Sequence, residues 1–490
     1  MENQSDKFQQ VISHTKEYGF VFQSSELYDG LAAVYDYGQY GVELRKNLRD
    51  YWWKSMVQMN DNIVGIDSAI FMHPTIWKAS GHVDNFNDPM VDNKDSKKRY
   101  RVDVIIEDKA AQYEAAGDKA TADALIASMD TMLTNTDFAG LRQLLIDHKI
   151  VCPLSGTSNW TDVRQFNLMF STQMGSVSED ADTIYLRPET AQGIFVNFLN
   201  VQKSGRMKIP FGIAQVGKAF RNEIVARQFI FRMREFEQME MQFFVRPGSE
   251  MEWYNHWREK RMAWHKSLGI DSAMLRYKDH TKLAHYANAA VDIEYNFPFG
   301  FKEVEGIHSR TDFDLKQHQT FSKKKIQYFD NDLNEEGKPF GNYIPYVVET
   351  SVGLDRLFLL TLCNAFEEQT IAKEDGTTDS RSVLHLPAIV APYKVAILPL
   401  LKKDGLPEAA RKIADELRPF HSIFYEEKDT IGKRYRRMDA IGTPYCVCVD
   451  HQTLTDGTVT IRDRDKMTQE RVPASALKEI IDQAVRMPIL

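Results

Sequence analysis

The spacing of apolar residues predicts a long helix near the start of the chain. Within residues 41–59, one helix face carries an apolar stripe formed by Leu44, Leu48, Tyr51, Trp52, Met56 and Met59. A stripe this wide has two interpretations. Either the helix packs against the core of its own subunit, or it forms a contact between two subunits.

Residues 105–148 differ in composition from the segments on either side. They are rich in alanine, leucine, aspartate and lysine and poor in aromatic residues, which predicts a helical insertion. The flanking segments 61–74, 164–175 and 183–198 are aromatic and strand-like. Many strands with irregular connections predict an antiparallel sheet with added helices, so the expected fold class is α+β.

The polar stretch 367–382 contains glycine and predicts a domain boundary near 370–390. Beyond it, apolar strands and amphipathic helices alternate. Strands are expected in YKVAILPL, SIFYEEK, TPYCVCVD and GTVTIRD, and helices at 406–420, 431–441 and 474–486. This alternation predicts a separate C-terminal α/β domain.

Composition excludes some classes of protein. The 490 residues carry a formal net charge of −8, so any nucleic-acid surface must be a local basic patch. The four cysteines form no CxxC pair, which favours a reducing, cytoplasmic environment. The N-terminal sequence lacks the apolar core of a secretory signal. Because no apolar run reaches membrane-spanning length, no membrane association is expected.

Residues 220–240, FRNEIVARQFIFRMREFEQME, combine arginines, carboxylates and aromatic rings. The pattern predicts two strands joined by a turn at 224–231. Alternation on the second strand would place on one face Arg232, Arg234, Phe236, Gln238 and Glu240. Guanidinium groups bind phosphate and a phenyl ring stacks on a purine, so this face suits a nucleotide. The alternative is a ladder of structural salt bridges across a sheet.

Two further acidic residues lie at the ends of predicted strands. Glu189 follows the strand in YLRPETAQGIF, and Glu349 ends the apolar strand in YIPYVVETSVGLDRL. After Glu349, the residues Ser351, Gly353 and Arg356 begin an apolar helix, whose N-terminus favours an anion. The alternative is a capped helix with one incidental arginine.

A basic cluster lies in the C-terminal domain within IGKRYRRMDAIG. Its cations are Lys433, Arg434, Arg436 and Arg437, and Tyr435 lies among them. Basic residues interleaved with an aromatic ring suit the phosphates and unstacked bases of an RNA. The alternative is a solvated helical face.

Together these motifs resemble the signatures of class II aminoacyl-tRNA synthetases. FRNE with RMREFEQME resembles the second signature, and ETSVGLDRL resembles the third. The helix and strand ending at Pro74 resemble the first, which forms the dimer interface in that class. ASGHVDNFNDPMVDNKDSKKRYR, LRPETAQGIFVNF and IGKRYRRMDAIGTPYC are similar to the homodimeric glycyl-tRNA synthetase family over nearly the whole chain outside 105–148. Some members carry zinc-type cysteines near position 93, where this chain reads Asp-Asn-Lys-Asp, so no zinc is expected there.

The resemblance implies an antiparallel-sheet catalytic domain followed by an α/β anticodon-binding domain. The expected boundaries are 1–104 for the N-terminal part with the dimer-interface motif, 105–150 for the insertion, 151–385 for the catalytic core and 386–490 for the anticodon-binding domain. It also implies that glycine reacts with ATP to give glycyl-adenylate, and that the glycyl group then passes to tRNA(Gly). The implied cofactors and partners are ATP, Mg²⁺, glycine, tRNA(Gly) and a second copy of the chain.

The resemblance further implies roles for individual residues. Arg221 and Arg356 would be the catalytic arginines at the α- and γ-phosphates, and Glu303 would bind magnesium. The implied glycine contacts are Arg101, Glu189, Phe236, Glu237, Gln238, Met239, Glu240, Glu349, Thr350, Ser351, Val352 and Gly353. The implied ATP contacts are Arg221, Asn222, Glu223, Phe231, Arg232, Met233, Arg234, Glu235, Phe236, Glu303, Val304, Gly353, Leu354, Asp355 and Arg356. The implied tRNA contacts are Lys433, Arg434, Arg436 and Arg437.

Two rival functions share parts of this pattern. A non-catalytic relative that only binds nucleic acid would lose the phosphate-binding arginines, whereas this chain keeps Arg221, Arg232 and Arg356. A different adenylating ligase on the same catalytic fold would not need the complete C-terminal domain. Glycine-dependent exchange of pyrophosphate into ATP, with and without tRNA, distinguishes the three.

Overall fold

The computed structural model describes residues 4–175, 182–224, 228–281, 283–284, 286–372 and 378–488. The expected turn at 224–231 therefore lies partly outside the described residues. The chain forms two compact units. The first comprises 1–68, 190–218 and 236–490, and the second comprises 69–189 and 219–235.

The helices are α1 (Gln4–Glu17), α2 (Gln39–Trp53), α3 (Pro74–Ala79), α4 (His82–Asn85), α5 (Val102–Ala115), α6 (Lys119–Thr134), α7 (Phe138–Asp147), α8 (Ala191–Val196), α9 (Phe198–Gly205), α10 (Glu250–Ser267), α11 (Phe313–Ser322), α12 (Leu354–Ala365), α13 (Leu406–Leu417), α14 (Ile431–Ala440), α15 (His451–Asp456) and α16 (Leu477–Ala484). The strands are β1 (Val21–Gln23), β2 (Tyr35–Tyr37), β3 (Ile63–Gly65), β4 (Asn87–Asn93), β5 (Lys98–Arg101), β6 (Arg164–Asn167), β7 (Ser171–Met174), β8 (Asp182–Tyr185), β9 (Phe211–Phe220), β10 (Glu235–Val245), β11 (Leu275–Asp279), β12 (Ala289–Phe297), β13 (Gly300–Thr311), β14 (Tyr328–Leu333), β15 (Pro339–Tyr343), β16 (Tyr346–Gly353), β17 (Phe366–Ala372), β18 (Thr378–Leu384), β19 (Val395–Pro399), β20 (Ile423–Tyr425), β21 (Tyr445–Val449), β22 (Thr458–Asp463) and β23 (Gln469–Pro473).

A seven-stranded sheet forms the centre of the first unit, with the strand order β11-β12-β13-β16-β10-β9-β3. The pairs from β11 to β10 are antiparallel, whereas β3 runs parallel to β9. Helix α10 packs behind this sheet, where Arg261 and His265 bond the buried carboxylate of Glu305 on β13. A mainly antiparallel sheet with packed helices confirms the expected α+β class.

The C-terminal part of the first unit contains a second sheet, with the order β20-β19-β21-β22-β23. Strand β19 is parallel to both neighbours, and β22 and β23 continue the sheet in antiparallel fashion. Helix α13 covers it with an apolar stripe at helical spacing, formed by Leu406, Ala410, Ile413, Ala414 and Leu417. This confirms the expected α/β character, although β23 and α15 were not expected.

The second unit contains the three-stranded sheet β5-β4-β6, the hairpin of β7 and β8, and the helices α3–α7. Helices α5–α7 occupy 102–147, nearly the stretch expected to be helical. They enclose a core that includes Leu125, Leu141 and Trp160. The insertion is therefore a packed element with its own apolar interior.

The structure decides between the two interpretations of the N-terminal stripe. Helix α2 continues into a π-helical turn at Lys54–Gln58. The stripe is buried within the chain from Leu44 to Met56, and Tyr51 bonds Ser267 at 2.6 Å. Met59 is 42% exposed. The stripe is thus core packing within one subunit, and its width is not evidence for a dimer.

Two segments differ from what the sequence pattern predicts. Pro74 does not end a strand. It begins α3, because a proline fits the first turn of a helix, where its missing N–H is not needed. The polar stretch at 367–382 is not irregular throughout, since it contributes to the paired strands β17 and β18. Arg381 holds this hairpin through a buried 2.8 Å bond to Asp439.

Within the part of the chain that the structure describes, none of the helices combines the length and the apolar character needed to cross a membrane.

Candidate active site

One face of the seven-stranded sheet carries a concentration of buried polar side chains. Successive residues of a strand point to opposite faces, so Gln238, Glu240 and Gln242 share a face of β10. The register places Glu240 opposite Ser351 and Gln242 opposite Glu349 on β16. An apolar core would not tolerate this arrangement unless the groups were hydrogen-bonded or served a ligand.

Glu240 is 3% exposed and is held by three neutral donors. Its carboxylate accepts from Thr190 Oγ1 at 2.6 Å, from Ser351 Oγ at 2.8 Å and from Gln238 Nε2 at 3.1 Å. These three neutral donors fix the orientation of the buried carboxylate. Such a group is suited to receive an ammonium.

Glu349 lies on the same face but pairs with a cation of the chain. It accepts from Arg310 Nη1 at 3.0 Å, from Gln242 Nε2 at 2.7 Å and from His308 Nδ1 at 2.8 Å. Arg310 also binds Asp314, to which Gln192 donates at 3.0 Å. Glu349 is therefore part of a buried charge network, which orients its carboxylate.

Two side-chain oxygens on this face have no partner among the described residues. They are Oε1 of Gln238 and Oε1 of Gln242, both shielded from solvent. A buried polar atom without a hydrogen bond costs about 1–3 kcal/mol, so such atoms usually serve a bound ligand or water. The Gln238 amide donates to Glu240, which places its oxygen beside that carboxylate. Together they offer acceptors for a small cationic ligand.

Several residues expected to contact glycine lie on the opposite face. Met239 pairs with Val352 in the register and Met241 with Thr350, and alternation turns these side chains away from Glu240. Met239, Thr350 and Val352 are fully buried. Their side chains pack in the core, so only their backbone could reach a ligand on the polar face.

Glu237 and Asp355 belong to a cluster of salt bridges and hydrogen bonds. Arg45 pairs with Glu237 at 2.6 Å and with Asp355 at 3.3 Å. Asp355 also accepts from the Glu237 backbone at 2.8 Å and from the Tyr37 hydroxyl. Burial, and then the Asp355 charge, raise the pKa of Tyr37 well above its usual value, so the phenol remains protonated. These bonds tie the start of α12 to β10 and α2.

Arg356 lies in the first turn of α12, which begins at Leu354 after the N-cap residue Gly353. Its guanidinium bonds the carboxylate of Glu303 at 3.0 Å and the Glu303 carbonyl at 3.2 Å. The Glu303 side chain is 48% exposed. The neighbouring Val304 and Leu354 are buried, so their side chains do not form part of this surface.

In the second unit, Arg221 follows directly after β9. Its Nε donates to the Pro188 carbonyl at 3.1 Å, and its guanidinium lies 5.4 Å from the Phe86 ring. The Arg221 amide donates to the Arg234 carbonyl at 2.9 Å, and the Asn222 amide bonds Leu168 at 2.7 Å. Arg221 is thus oriented by several elements of its own unit.

Arg232 and Arg234 do not lie on the strand that the sequence predicts, since β10 begins at Glu235. Arg232 is 3.8 Å from Glu223, and Arg234 Nε donates to the Glu223 carbonyl at 2.9 Å. A short 3₁₀ turn at Phe229–Phe231 directly precedes them. Phe231 and Met233 are buried, so their side chains serve packing.

Arg101 and Glu189 also lie in the second unit. Arg101 lies beside two carboxylates, and Glu189 lies beside a histidine. Arg101 bonds Asp103 at 2.5 Å and Asp88 at 3.3 Å. Burial raises the pKa of Asp88, and the charge of Arg101 partly offsets this. Glu189 lies 3.4 Å from His82 Nε2. Arg101 is therefore anchored by two carboxylates within its own unit.

The basic cluster of α14 is smaller at the surface than its sequence suggests. Arg434 is 1% exposed and donates to the carbonyls of Pro399, Leu400 and Glu426, so it supports the fold and does not face a nucleic acid. Arg437 pairs with Glu426 and Asp429. Lys433 is exposed. Arg436 donates to the Ser380 carbonyl at 3.2 Å.

Some residues of the polar face were not identified from the sequence. They are Thr190, Gln192, Gln242, His308 and Arg310. The signal was present in HSRTD, where His308 and Arg310 are two residues apart on a strand and therefore share a face. Thr190 and Gln192 come from a helix start distant in sequence, so no local pattern pairs them with β10.

Three protein-family models match segments of the chain. Residues 170–365 match the model of the tRNA synthetase class II core domain (G, H, P, S and T). Residues 394–484 match the anticodon binding domain, and residues 88–124 and 117–168 match glycyl-tRNA synthetase insertion domain 1.

Three curated relatives of the chain are named glycine–tRNA ligase. Glycine–tRNA ligase of Chlorobaculum tepidum is 50% identical over 473 residues, which cover 96% of this chain and 98% of that protein. The ligases of Staphylococcus haemolyticus and Macrococcus caseolyticus are each 49% identical, and each alignment covers 97% of this chain and 98% of the relative. The aligned region therefore includes residues of both units and of the C-terminal domain.

Proposed function

The chain belongs to the glycine–tRNA ligase family of class II aminoacyl-tRNA synthetases, and we propose that it activates glycine with ATP and transfers it to tRNA(Gly). In the first step a carboxylate oxygen of glycine attacks the α-phosphorus, and pyrophosphate leaves. In the second step a ribose hydroxyl at the 3′ end of tRNA attacks the carbonyl carbon of the adenylate, and AMP leaves.

The polar face of the sheet is the proposed amino-acid site. Glu240 and the Gln238 oxygen accept the glycine ammonium, and Ser351 holds Glu240 in position. The observation that carries this assignment is the buried, unpartnered Gln238 Oε1 beside a buried carboxylate. Glycine has no side chain to bind, so selectivity would come from excluding larger amino acids, whose entry would leave these groups unpaired.

Arg221 and Arg356 are the proposed phosphate-binding arginines. Catalysis at phosphorus needs positioning and charge neutralisation more than covalent participation. Arg356 is held in place by Glu303, whose carboxylate is half exposed. One carboxylate together with substrate phosphates suits Mg²⁺, which keeps most of its waters and seldom needs a full protein cage. We assign Glu303 to that ion, which would neutralise phosphate charge.

The chain is further proposed to act as a cytoplasmic homodimer that reads tRNA(Gly) through its C-terminal domain. Support for the dimer comes from the resemblance to the first class II signature. The apolar stripe of α2 adds no support, because it is buried within the chain. Support for tRNA binding comes from the match to an anticodon-binding module and from the exposed Lys433.

Glycine-dependent exchange of labelled pyrophosphate into ATP tests this function. Exchange is expected with glycine and absent with alanine or serine, and aminoacylation is expected with tRNA(Gly). A protein that binds tRNA(Gly) but supports no exchange with any amino acid would be a non-catalytic relative. Exchange without transfer to tRNA would indicate a ligase that charges another acceptor.

A further inference from the structure

Three side chains of the kinds that bind metal ions converge on the sheet, and none of them belongs to the proposed glycine or phosphate contacts. His280 follows β11, Asp292 lies on β12 and His308 on β13. Each can offer one ligand atom such that all three atoms lie within 4.8 Å of one another. His280 Nε2 is 2.9 Å from Asp292 Oδ2, and the two imidazole rings are 5.8 Å apart. Among the described residues, this is the one group of its kind.

The register of the sheet explains why space remains between these groups. Asp292 pairs with Gly306, two residues before His308 on the same face of β13. A Cβ at Gly306 would lie 3.3 Å from His308 Nε2 and 3.8 Å from Asp292 Oδ1. Because Gly306 has no side chain, a small space remains beside His308 Nε2 and Asp292 Oδ1.

The surroundings of His308 match those of a metal-bound histidine. Its Nδ1 bonds Glu349 Oε1 at 2.8 Å, and Arg310 holds that carboxylate in turn. When a carboxylate accepts the Nδ1 proton, Nε2 carries the lone pair and its direction is fixed. The backbone amide of His280 donates to the Ala290 carbonyl at 3.1 Å, which holds the third ligand beside β12.

We propose that His280, Asp292 and His308 form a binding site for a divalent transition metal ion, with Zn²⁺ the best match. Two imidazoles and one carboxylate suit zinc, whereas magnesium and calcium prefer oxygen ligands. Ligand atoms around one zinc are about 3.4 Å apart, given bonds of roughly 2.0–2.1 Å in tetrahedral geometry. Small side-chain rotations suffice to close the site.

The site remains accessible to an ion from solution. The side chains of His280, His308 and Asp292 are 33%, 20% and 15% exposed. Three protein ligands leave the fourth position of a zinc ion to water or another small ligand. Because Gly306 is paired with both Asp292 and Ser351, the ion lies on the face that carries the proposed glycine site.

Titration of the metal-free full-length protein with Zn²⁺, in competition with a chromophoric chelator, tests the site. One ion per chain is expected. The variants His280→Ala and Asp292→Asn should each weaken binding at least about tenfold, since even outer-shell changes have effects of this size. His451→Ala is the matched control, because His451 and Asp404 form a similar pair at 3.0 Å without a third ligand. Its affinity should equal that of the wild type.

A second measurement avoids dependence on one variant. Zn²⁺ should raise the melting temperature of the wild type and of His451→Ala, and this shift should disappear in Asp292→Asn. Melts without metal establish that each variant is folded. The proposal is overturned if the wild type binds no stoichiometric Zn²⁺, or if His280→Ala and Asp292→Asn bind as tightly as the wild type. The three side chains would then form only a surface ion pair with a neighbouring imidazole.

Discussion

At the scale of single residues, the structure separates groups that present charge to a ligand from groups that hold the sheet together. Glu240 and Glu349 are both buried carboxylates on one sheet face. Glu349 pairs with Arg310, whereas Thr190, Ser351 and Gln238 donate neutral hydrogen bonds to Glu240. The sequence identified both glutamates, but only the network of partners distinguishes their roles.

Glu240→Gln should raise the KM for glycine by about 10- to 100-fold, since a hydrogen bond to a charged group is worth roughly 1.5–3 kcal/mol. The amide keeps the shape of the carboxylate but loses its charge. The KM for ATP should stay within about twofold. Glu252→Gln, at an exposed position of α10, serves as the control. Equal changes in both KM values would refute a specific role in binding glycine.

Arg221→Ala and Arg356→Ala should each reduce glycine-dependent exchange by about 10²- to 10³-fold, because one preorganised charge contact at a reacting centre contributes roughly 3–4 kcal/mol. Single-turnover adenylate formation is the direct readout. Arg276→Ala is the control, since Arg276 also pairs with a glutamate but lies on the edge strand β11. Near-normal exchange in either active-site variant would contradict the assignment.

At the scale of elements, the sequence was most informative where local periodicity and burial coincide. The stripe of α13 and the strands β19, β21 and β22 follow from patterns within a few residues. The hairpin of β17 and β18 does not, because its polar residues resemble a linker. What stabilises it is Arg381, whose partner Asp439 is 58 residues away.

We expect the stability of the folded protein to depend on pH through His385, which directly follows β18. His385 bonds Asp465 at 2.6 Å and Glu367 at 2.8 Å, and these carboxylates raise its pKa above 6.5. A raised pKa stabilises the folded state at pH values below 6.5, and this contribution is lost as the pH rises through the folded-state pKa. His385→Gln should therefore lower the melting temperature more at pH 5.5 than at pH 8.5.

The control for this measurement is His451→Gln, which alters another exposed histidine–aspartate pair. The buffer range should remain above pH 5, because the Asp465 pKa is lowered and its contribution is lost in stronger acid. If the difference between His385→Gln and the wild type is the same at both pH values, folding does not shift the pKa of His385 and the assigned pKa direction is wrong.

At the scale of the whole molecule, the C-terminal domain is packed against other parts of the first unit. His14 on α1 bonds the Ala440 carbonyl at 2.7 Å, and Asn47 on α2 donates to the carbonyls of Val390 and Ala391. Removal of residues 390–490 would expose these groups together with apolar surface. Truncation would thus mix loss of tRNA binding with loss of stability, so a surface substitution is the sharper test.

Lys433→Glu should raise the KM for tRNA(Gly) while leaving glycine-dependent exchange unchanged. Lys433 is exposed on α14, whereas the adjacent Arg434 is buried, so only the lysine changes the surface charge without disturbing the domain. The loss of one phosphate contact should also reduce the slope of log affinity against log salt concentration by roughly 0.7–0.9. Lys412→Glu, an equal charge change on α13, is the control. If both variants weaken tRNA binding equally, the effect is general repulsion, and α14 is not the contact surface.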